Sequence, residues 1–454
     1  MRTTTAPRLT QTLPPGPAST ALWQMLQWVG RPLAFMEECA QQYGDLFTVR
    51  LGNLGQLVFC SHPQGIEKIF TADPKQMDAG RNNSVLLPLL GNASLILLDG
   101  KPHQRQRQLL MPPFHGERMR TYHSLVAEIT EEIAALWSVG QSVDVREAMQ
   151  AISLNVILKA VFGVSDSERY QDLQQLLPTF LDLTGSPAGA SLLFIKGLQK
   201  DWGAWSPWGR FVRMRSHLDH LLYQEIADRR SHSEGGTDIL SLMLAAEDEA
   251  GNPMTDLELR DELVTLLLAG HETTASALTW ALYWIHFLPE VRDKLVTELA
   301  TADLDDAKSI LRLPYLNAVC SETLRIYPIA PITAPRTTHV PMSIMGHRMP
   351  AGTTVAPCIY LTHHRPDLYP RPHEFRPERF IERQFSPYEY LPFGGSNRRC
   401  LGMTFALFEM KLVLTTLLTR SQFQLPHPHP LKPVRRGVTL APPSQLKLIV
   451  AHSS

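Results

Sequence analysis

Cysteine is scarce in this 454-residue chain, and its five copies (Cys39, Cys60, Cys320, Cys358, Cys400) are scattered, odd in number and without a Cys-x-x-Cys pair. That argues against a disulfide framework and a zinc knuckle and for a reducing, cytoplasmic setting. Charge of one sign is not in excess either. Lys plus Arg is 43 against Asp plus Glu at 44, so the overall balance asks for no nucleic-acid partner. No Ser/Gly-rich linker, low-complexity tract, charge block or internal repeat divides the chain. A single domain over residues 1–454 is therefore expected, although length alone would favour about three. Residues 1–20 are Thr- and Pro-rich rather than basic and then apolar, so they read as a proline-stiffened entry, with neither a secretory signal nor a transmembrane anchor. The longest apolar stretch, Leu263 to Leu288, nears spanning length, but His271 and Glu272 at its middle would be expensive in lipid. It reads as a buried helix. A flavin or nicotinamide fingerprint is also missing, as is a cysteine cluster for iron–sulfur, so any redox chemistry needs electrons from a separate protein.

Apolar residues make up 44% of the chain, enough for a large core. Helical spacing runs from Ala21 to Tyr43, followed by two extended runs, Leu46 to Leu51 and Leu57 to Cys60, about Gly52-Asn53 and Gly55. Residues 78 to 98 read as a long Leu-rich connection of the kind that usually serves a function. From Arg105 to Arg230 the pattern is mostly helical, broken by Pro112-Pro113, Gly163, Pro178, Gly185-Ser186-Pro187 and Pro207. Between Phe180 and Trp208 lies an unusually apolar piece carrying Leu192, Leu193, Phe194, Ile195, Trp202 and Trp205. Ordinary packing and a lid over an apolar pocket both account for it. After the polar loop Ser231 to Thr237, helix resumes through Gly270 and again from Ser309 to Tyr327, and then gives way to short Pro-rich extended pieces. The expected fold is mainly α with small β-sheets, residues 21–70 and 330–380 supplying the β-rich part.

Chemistry concentrates at Phe393-Gly394-Gly395-Ser396-Asn397-Arg398-Arg399-Cys400-Leu401-Gly402. A thiolate at Cys400 would sit just before the N-terminus of an apolar helix from Met403, where free N–H groups and the helix dipole stabilise negative charge. Such a sulfur suits a metal. Phe393 is placed to pack beside a flat cofactor, Gly402 to allow close approach and Arg398 to pair with a carboxylate. Upstream, Ala269-Gly270-His271-Glu272-Thr273-Thr274 lies mid-helix. Thr273 can bond back to the Ala269 carbonyl, which with Gly270 would open the helix locally for a small ligand. His271-Glu272 begins a zinc-type His-Glu-x-x-His, but Ala275 occupies the second His position, so the zinc reading fails. Glu322 and Arg325 share a helix face at spacing three, and Pro377-Glu378-Arg379-Phe380 follows. His103 and Arg107 share a face at spacing four, in either an anion clamp or an exposed basic helix.

In order and separation these motifs resemble the cytochromes P450, whose haem-ligand signature is Phe-x-x-Gly-x-Arg-x-Cys-x-Gly, over roughly residues 10 to 450. Ser396 departs from it, standing where the signature usually has Gly; a backbone with positive φ there would cost about 1 kcal/mol. The resemblance implies haem b with Cys400 as the axial iron ligand. It implies cofactor contacts from His103 (where many members have Trp), Arg107, Arg336, Phe393, Arg398 and Gly402. Glu272 and Thr273 become the acid and alcohol that relay protons to O2, and Glu322, Arg325 and Arg379 a buried structural triad locking the haem loop. Substrate contacts are implied at Val85, Leu86, Leu89, Leu266, Leu267, Ala269, Ile332, Thr333, Ala334, Val438 and Thr439. The stretch Met111 to Arg118 resembles cyanobacterial-type members, several of which act on fatty acids and terpenoids. The implied activity is a monooxygenase hydroxylating or epoxidising an apolar small molecule. Electrons would come from NAD(P)H through a reductase and a ferredoxin or flavodoxin, which docks on a monomer through free arginines such as Arg105, Arg118, Arg371 and Arg399. A peroxide-using peroxygenase or isomerase, or a haem-thiolate sensor, are the alternatives on the same fold.

Overall fold

A computed structural model describes residues 13–52, 55–114, 118–163, 168–185, 189, 192–193, 196–231 and 236–453. Asn53, His115, Gly116, Glu117, Ser186, Pro187, Phe194 and Ile195 lie outside the described residues, as do the side chains of Arg118 and Arg120.

The helices that build the site are α1 (Gly100–Leu110), α2 (Arg118–Ala134), α3 (Val145–Phe162), α4 (Glu168–Gly185), α5 (Pro207–Ser231), α6 (Asp256–Phe287), α7 (Pro314–Ile326), the short α8 (Ile359–His363) and α9 (Met403–Arg420). The central member is α6. Thr255 caps it in a capping box with Glu258, which satisfies two of its orphan N–H groups. Most of its 32 residues are buried, because α3, α5, α7 and α9 all pack against it. This explains an apolar run that nears spanning length; among the described residues no helix is both long and apolar enough to cross a membrane.

Two distant stretches of chain meet in one sheet. Strands β1 (Leu46–Arg50) and β2 (Gln56–Cys60) form the expected hairpin, with β3 (Met77–Asp78), β4 (Arg336–Thr338) and β5 (Thr354–Pro357) completing the order β1-β2-β5-β4-β3. Alternate residues of β1 and β2 feed two small cores. Phe47, Val49 and Phe59 face one with Trp28, and Leu46 and Val58 face the other with Ile66 and Phe70. The hairpin β6 (Val434–Arg436) and β7 (Thr439–Ala441) reaches back toward α4 and α6.

Three local expectations change. Residues 78–98 are no structureless connection, since a 3₁₀ segment over Gly80–Leu86 runs into a short helix over Leu87–Leu90. Pro178 does not end its helix but lies inside α4, whose core-facing Leu173, Leu177 and Phe180 hold it in place. Gly270 does not break its helix. A Cβ there would come within 3.1 Å of Ile157 Cδ1, so glycine lets α3 approach α6, and α6 continues as one helix through it.

Candidate active site

The loop before α9 has its own hydrogen-bond frame. The Cys400 N–H donates to the Phe393 carbonyl (2.9 Å), Gly394 N–H to that of Leu391 (3.0 Å) and Arg399 N–H to that of Ser396 (3.2 Å). Gly394 has φ +66° and Ser396 φ +62°. The departure from Gly at residue 396 therefore carries the strain expected of it, about 1–2 kcal/mol for an L-residue in the left-handed region. Ser396→Gly is expected to raise stability by about 1 kcal/mol in urea titration, less the entropy that glycine gains when unfolded.

Cys400 is the one exposed cysteine of the five; Cys39, Cys60, Cys320 and Cys358 are buried. The residue is exposed, but its thiol is hemmed by protein. Burial accordingly raises its pKa, while the Gly402 N–H bonded to the sulfur and the guanidinium groups of Arg107 and Arg399 work the other way. Those three features only partly offset burial, so the sulfur on its own leans to the thiol, and a bound cation would draw off the proton. Arg107 approaches from this side, its Nη1 donating to the Arg399 carbonyl (2.9 Å).

Cationic groups gather nearby without enough negative charge to match. Arg336 is buried; it donates to the carbonyls of Ile69 (3.3 Å) and Gly395 (2.8 Å) and lies 4.9 Å over the Phe70 ring, yet its Nε has no partner. Burial and then Arg398 push its pKa down to about 10. Arg398 donates to Asp99 Oδ1 (2.5 Å) and to the Leu98 carbonyl (2.6 Å). Asp99 meanwhile accepts the N–H groups of Ala79, Gly80 and Arg81, so its charge is shared. His103 is buried, and desolvation, then Arg398 and Arg107, lower its pKa to about 4, leaving a neutral imidazole. Three guanidinium groups, one with an orphaned donor, and a neutral imidazole suit the carboxylates of an anionic cofactor, and the sulfur of Cys400 suits its metal.

On α6, Leu266, Ala269 and Thr273 recur at i, i+3 and i+7 and form its accessible stripe, with Ala269 exposed in the middle of an otherwise buried helix. Thr273 Oγ1 donates to the Ala269 carbonyl at 2.6 Å, as expected. Leu267 is not on that stripe: one position on, it turns into the main core. Glu272 is not free. Its Oε1 accepts from Arg146 Nη2 (2.7 Å) and meets Arg436 Nε (3.1 Å), while Oε2 accepts from Gln150 Nε2 (2.7 Å). Arg436 also pairs with Asp182 of α4, so one network ties the acid to α3, α4 and β6. Thr333 is buried with its hydroxyl unpartnered, and its methyl would be 3.9 Å from a Cβ on Gly394. Ile332 packs on the core around Phe59, Val85 and Leu86 are half-buried, Leu89 is buried, and Ala334 and Thr439 are half-buried. Val438 is exposed.

Glu322, Arg325 and Arg379 do meet. Arg325 grips Glu322 with two bonds (Nε 2.6 Å, Nη2 2.8 Å), and Arg379 Nε donates to Glu322 Oε1 at 3.0 Å. All three are buried.

The cytochrome P450 family model matches residues 14–450. The chain belongs to the cytochrome P450 family. Relatives include the Mycobacterium tuberculosis proteins named as cytochrome P450 135B1, 37% identical over 95% of this chain and 89% of the relative, and 135A1, 36% identical over 96% and 95%. The retinoic acid-bound structure of cyanobacterial CYP120A1 is 27% identical, with a TM-score of 0.85 over 98% of this chain and all of that one. The haem domain of cytochrome P450DA, 24% identical with a TM-score of 0.83 over 97% and 98%, shares the fold. This P450 is thus a haem-dependent monooxygenase of helix-rich fold with a small β-rich region.

Two features of this P450 were out of reach of its sequence. Arg105, expected to be free for an electron donor, is committed to Asp248 (2.6 Å) and Glu258 (2.7 Å) across the start of α6, and Arg371 pairs with Glu374 (3.0 Å). His363, to which no motif pointed, lies beside the triad.

Proposed function

We propose that this P450 inserts one oxygen atom from O2 into an apolar small molecule of fatty-acid or terpenoid type, in the cytoplasm, with electrons passed from NAD(P)H by a reductase and a ferredoxin or flavodoxin. The observation carrying this is the accessible stripe Leu266, Ala269 and Thr273 on α6, two apolar side chains and one hydroxyl. Val85, Leu86 and Leu89 offer further apolar surface. Burial then drives binding at roughly 25 cal/mol per Å². The cyanobacterial relative's bound retinoic acid, an apolar isoprenoid chain ending in a carboxylate, is of the same class.

In this reading Cys400 holds the haem iron, while Arg336, Arg398, His103 and Arg107 hold the haem carboxylates. Phe393 and Gly402 border it. Haem b supplies O2 activation, with the cysteine donating electron density to iron. Thr273 keeps its hydroxyl proton on the Ala269 carbonyl, so its oxygen lone pairs remain available to accept from a neighbour. Glu272 is held by Arg146 and Arg436 on Oε1 and by Gln150 on Oε2, and a proton passed through it would have to work within those bonds. The residues therefore divide proton handling between a hydroxyl already in place and a carboxylate held back.

Thr273→Ala is expected to leave haem loading and ligand-induced spectral shifts unchanged while product per NAD(P)H falls at least severalfold and peroxide rises, since positioned proton-transfer groups contribute about 10²–10⁴-fold. Unchanged coupling would remove Thr273 from the role. Turnover with O2 and reductant against turnover with peroxide tests the activity itself: product only with peroxide would favour a peroxygenase.

A further inference from the structure

None of the triad's described side-chain hydrogen bonds reaches the ligand loop. Outside itself, its described side-chain bonds go to the carbonyls of His363, Pro370, Pro372 and Glu374 and the N–H of Arg376. Something else must connect that stretch to Cys400.

His363, the last residue of α8, is fully buried. Its Nε2 accepts the Leu391 N–H at 2.9 Å, and its Nδ1 lies 3.3 Å from the Arg325 carbonyl. A backbone N–H can only donate, so Nε2 is bare and Nδ1 carries the proton, which the Arg325 carbonyl accepts. Arg325 returns the bond, its Nη1 donating to the His363 carbonyl at 2.8 Å. The imidazole stacks on Tyr390 (5.3 Å, 22°) and meets the Tyr369 ring nearly edge-on (6.2 Å, 69°). Burial and then Arg325 push its pKa down to about 3, which keeps Nε2 bare at any working pH. From Leu391 the frame continues through its carbonyl to Gly394, and through Phe393 to the Cys400 N–H.

We propose that His363 is a positioning residue for the thiolate: clasped to Arg325, it holds the Leu391 amide and through it the turn that presents Cys400 to the haem iron. This rests on Cys400 being the iron ligand. The triad fixes the platform and His363 transmits that fixity to the loop.

His363→Phe keeps a flat ring against Tyr390 but offers no acceptor; His363→Gln returns a carbonyl oxygen at about the reach of Nε2. In the haem-loaded enzyme, the Phe variant is expected to exchange its Leu391 amide hydrogen at least about tenfold faster than wild type. Most of its reduced carbon monoxide complex should move from the red-shifted thiolate band to the unshifted band, and the Gln variant should restore both readouts. A Phe variant with an unchanged band would overturn the proposal, even if the amide exchanged faster. Should the Phe variant not fold, the proposal fails if the wild-type Leu391 amide exchanges like an exposed loop amide, or if the folded Gln variant lacks the thiolate band. A wild-type enzyme without that band would instead defeat the assignment of Cys400, and the amide measurement would still test the clasp.

Discussion

Glu322→Ala is expected to remove about 3–5 kcal/mol of folding stability and to leave little haem-loaded protein in expression. The reason is what remains behind. Arg325 is fully buried and Arg379 nearly so, and Glu322 is the carboxylate that both reach. Without it two guanidinium groups share an interior with carbonyl dipoles and, for Arg325, the Tyr369 ring 5.2 Å away, and the Arg376 N–H, 2.8 Å from Glu322 Oε1, loses its acceptor as well. Set against a typical total of about 5–15 kcal/mol, the loss takes a large share. Glu322→Gln, keeping an acceptor but not the charge, should fall between. Urea unfolding of the three proteins, with absorbance per milligram as a measure of haem content, checks this; an Ala variant within about 1 kcal/mol of wild type would show that the triad is not needed.

Legibility in the sequence followed the range of each interaction. The Thr273 bond to Ala269 spans four residues and the Arg325 grip on Glu322 spans three, and both follow from helical spacing alone. The positive φ at Ser396 follows from one position in a loop signature. By contrast, what restrains Glu272 comes from Arg146, Gln150 and Arg436, more than a hundred residues away on α3 and β6, and no periodicity announces such partners. Arg105 likewise appeared free because the start of α6, which carries Glu258, folds over it. Asp99 stands at the N-cap of α1, and no pattern announces that it also gathers three backbone N–H groups and Arg398. That Gly270 also accommodates Ile157 of α3 depends on a helix more than a hundred residues upstream. The helix-rich architecture with a sheet from both ends was legible because burial patterns repeat along each element; the choice among arginines was not, because each depends on which helix packs beside it.

The second large effect concerns Cys400 itself. Cys400→His should still bind haem, since imidazole is a competent iron ligand and the arginines that would hold the haem carboxylates are untouched. What it should lose is thiolate character. The remaining cysteines offer no substitute: burial pushes Cys39 up to about 11 and Cys60 and Cys320 up to about 12, and raises Cys358 as well. All four are buried, whereas Cys400 is exposed, so each should be replaceable without changing the ligand. The decisive measurement is the absorption spectrum of the reduced protein under carbon monoxide, taken on wild type, Cys400→His and Cys320→Ala. A red-shifted band in wild type and Cys320→Ala that vanishes completely in Cys400→His is the expected result; a shifted band surviving in Cys400→His would contradict it.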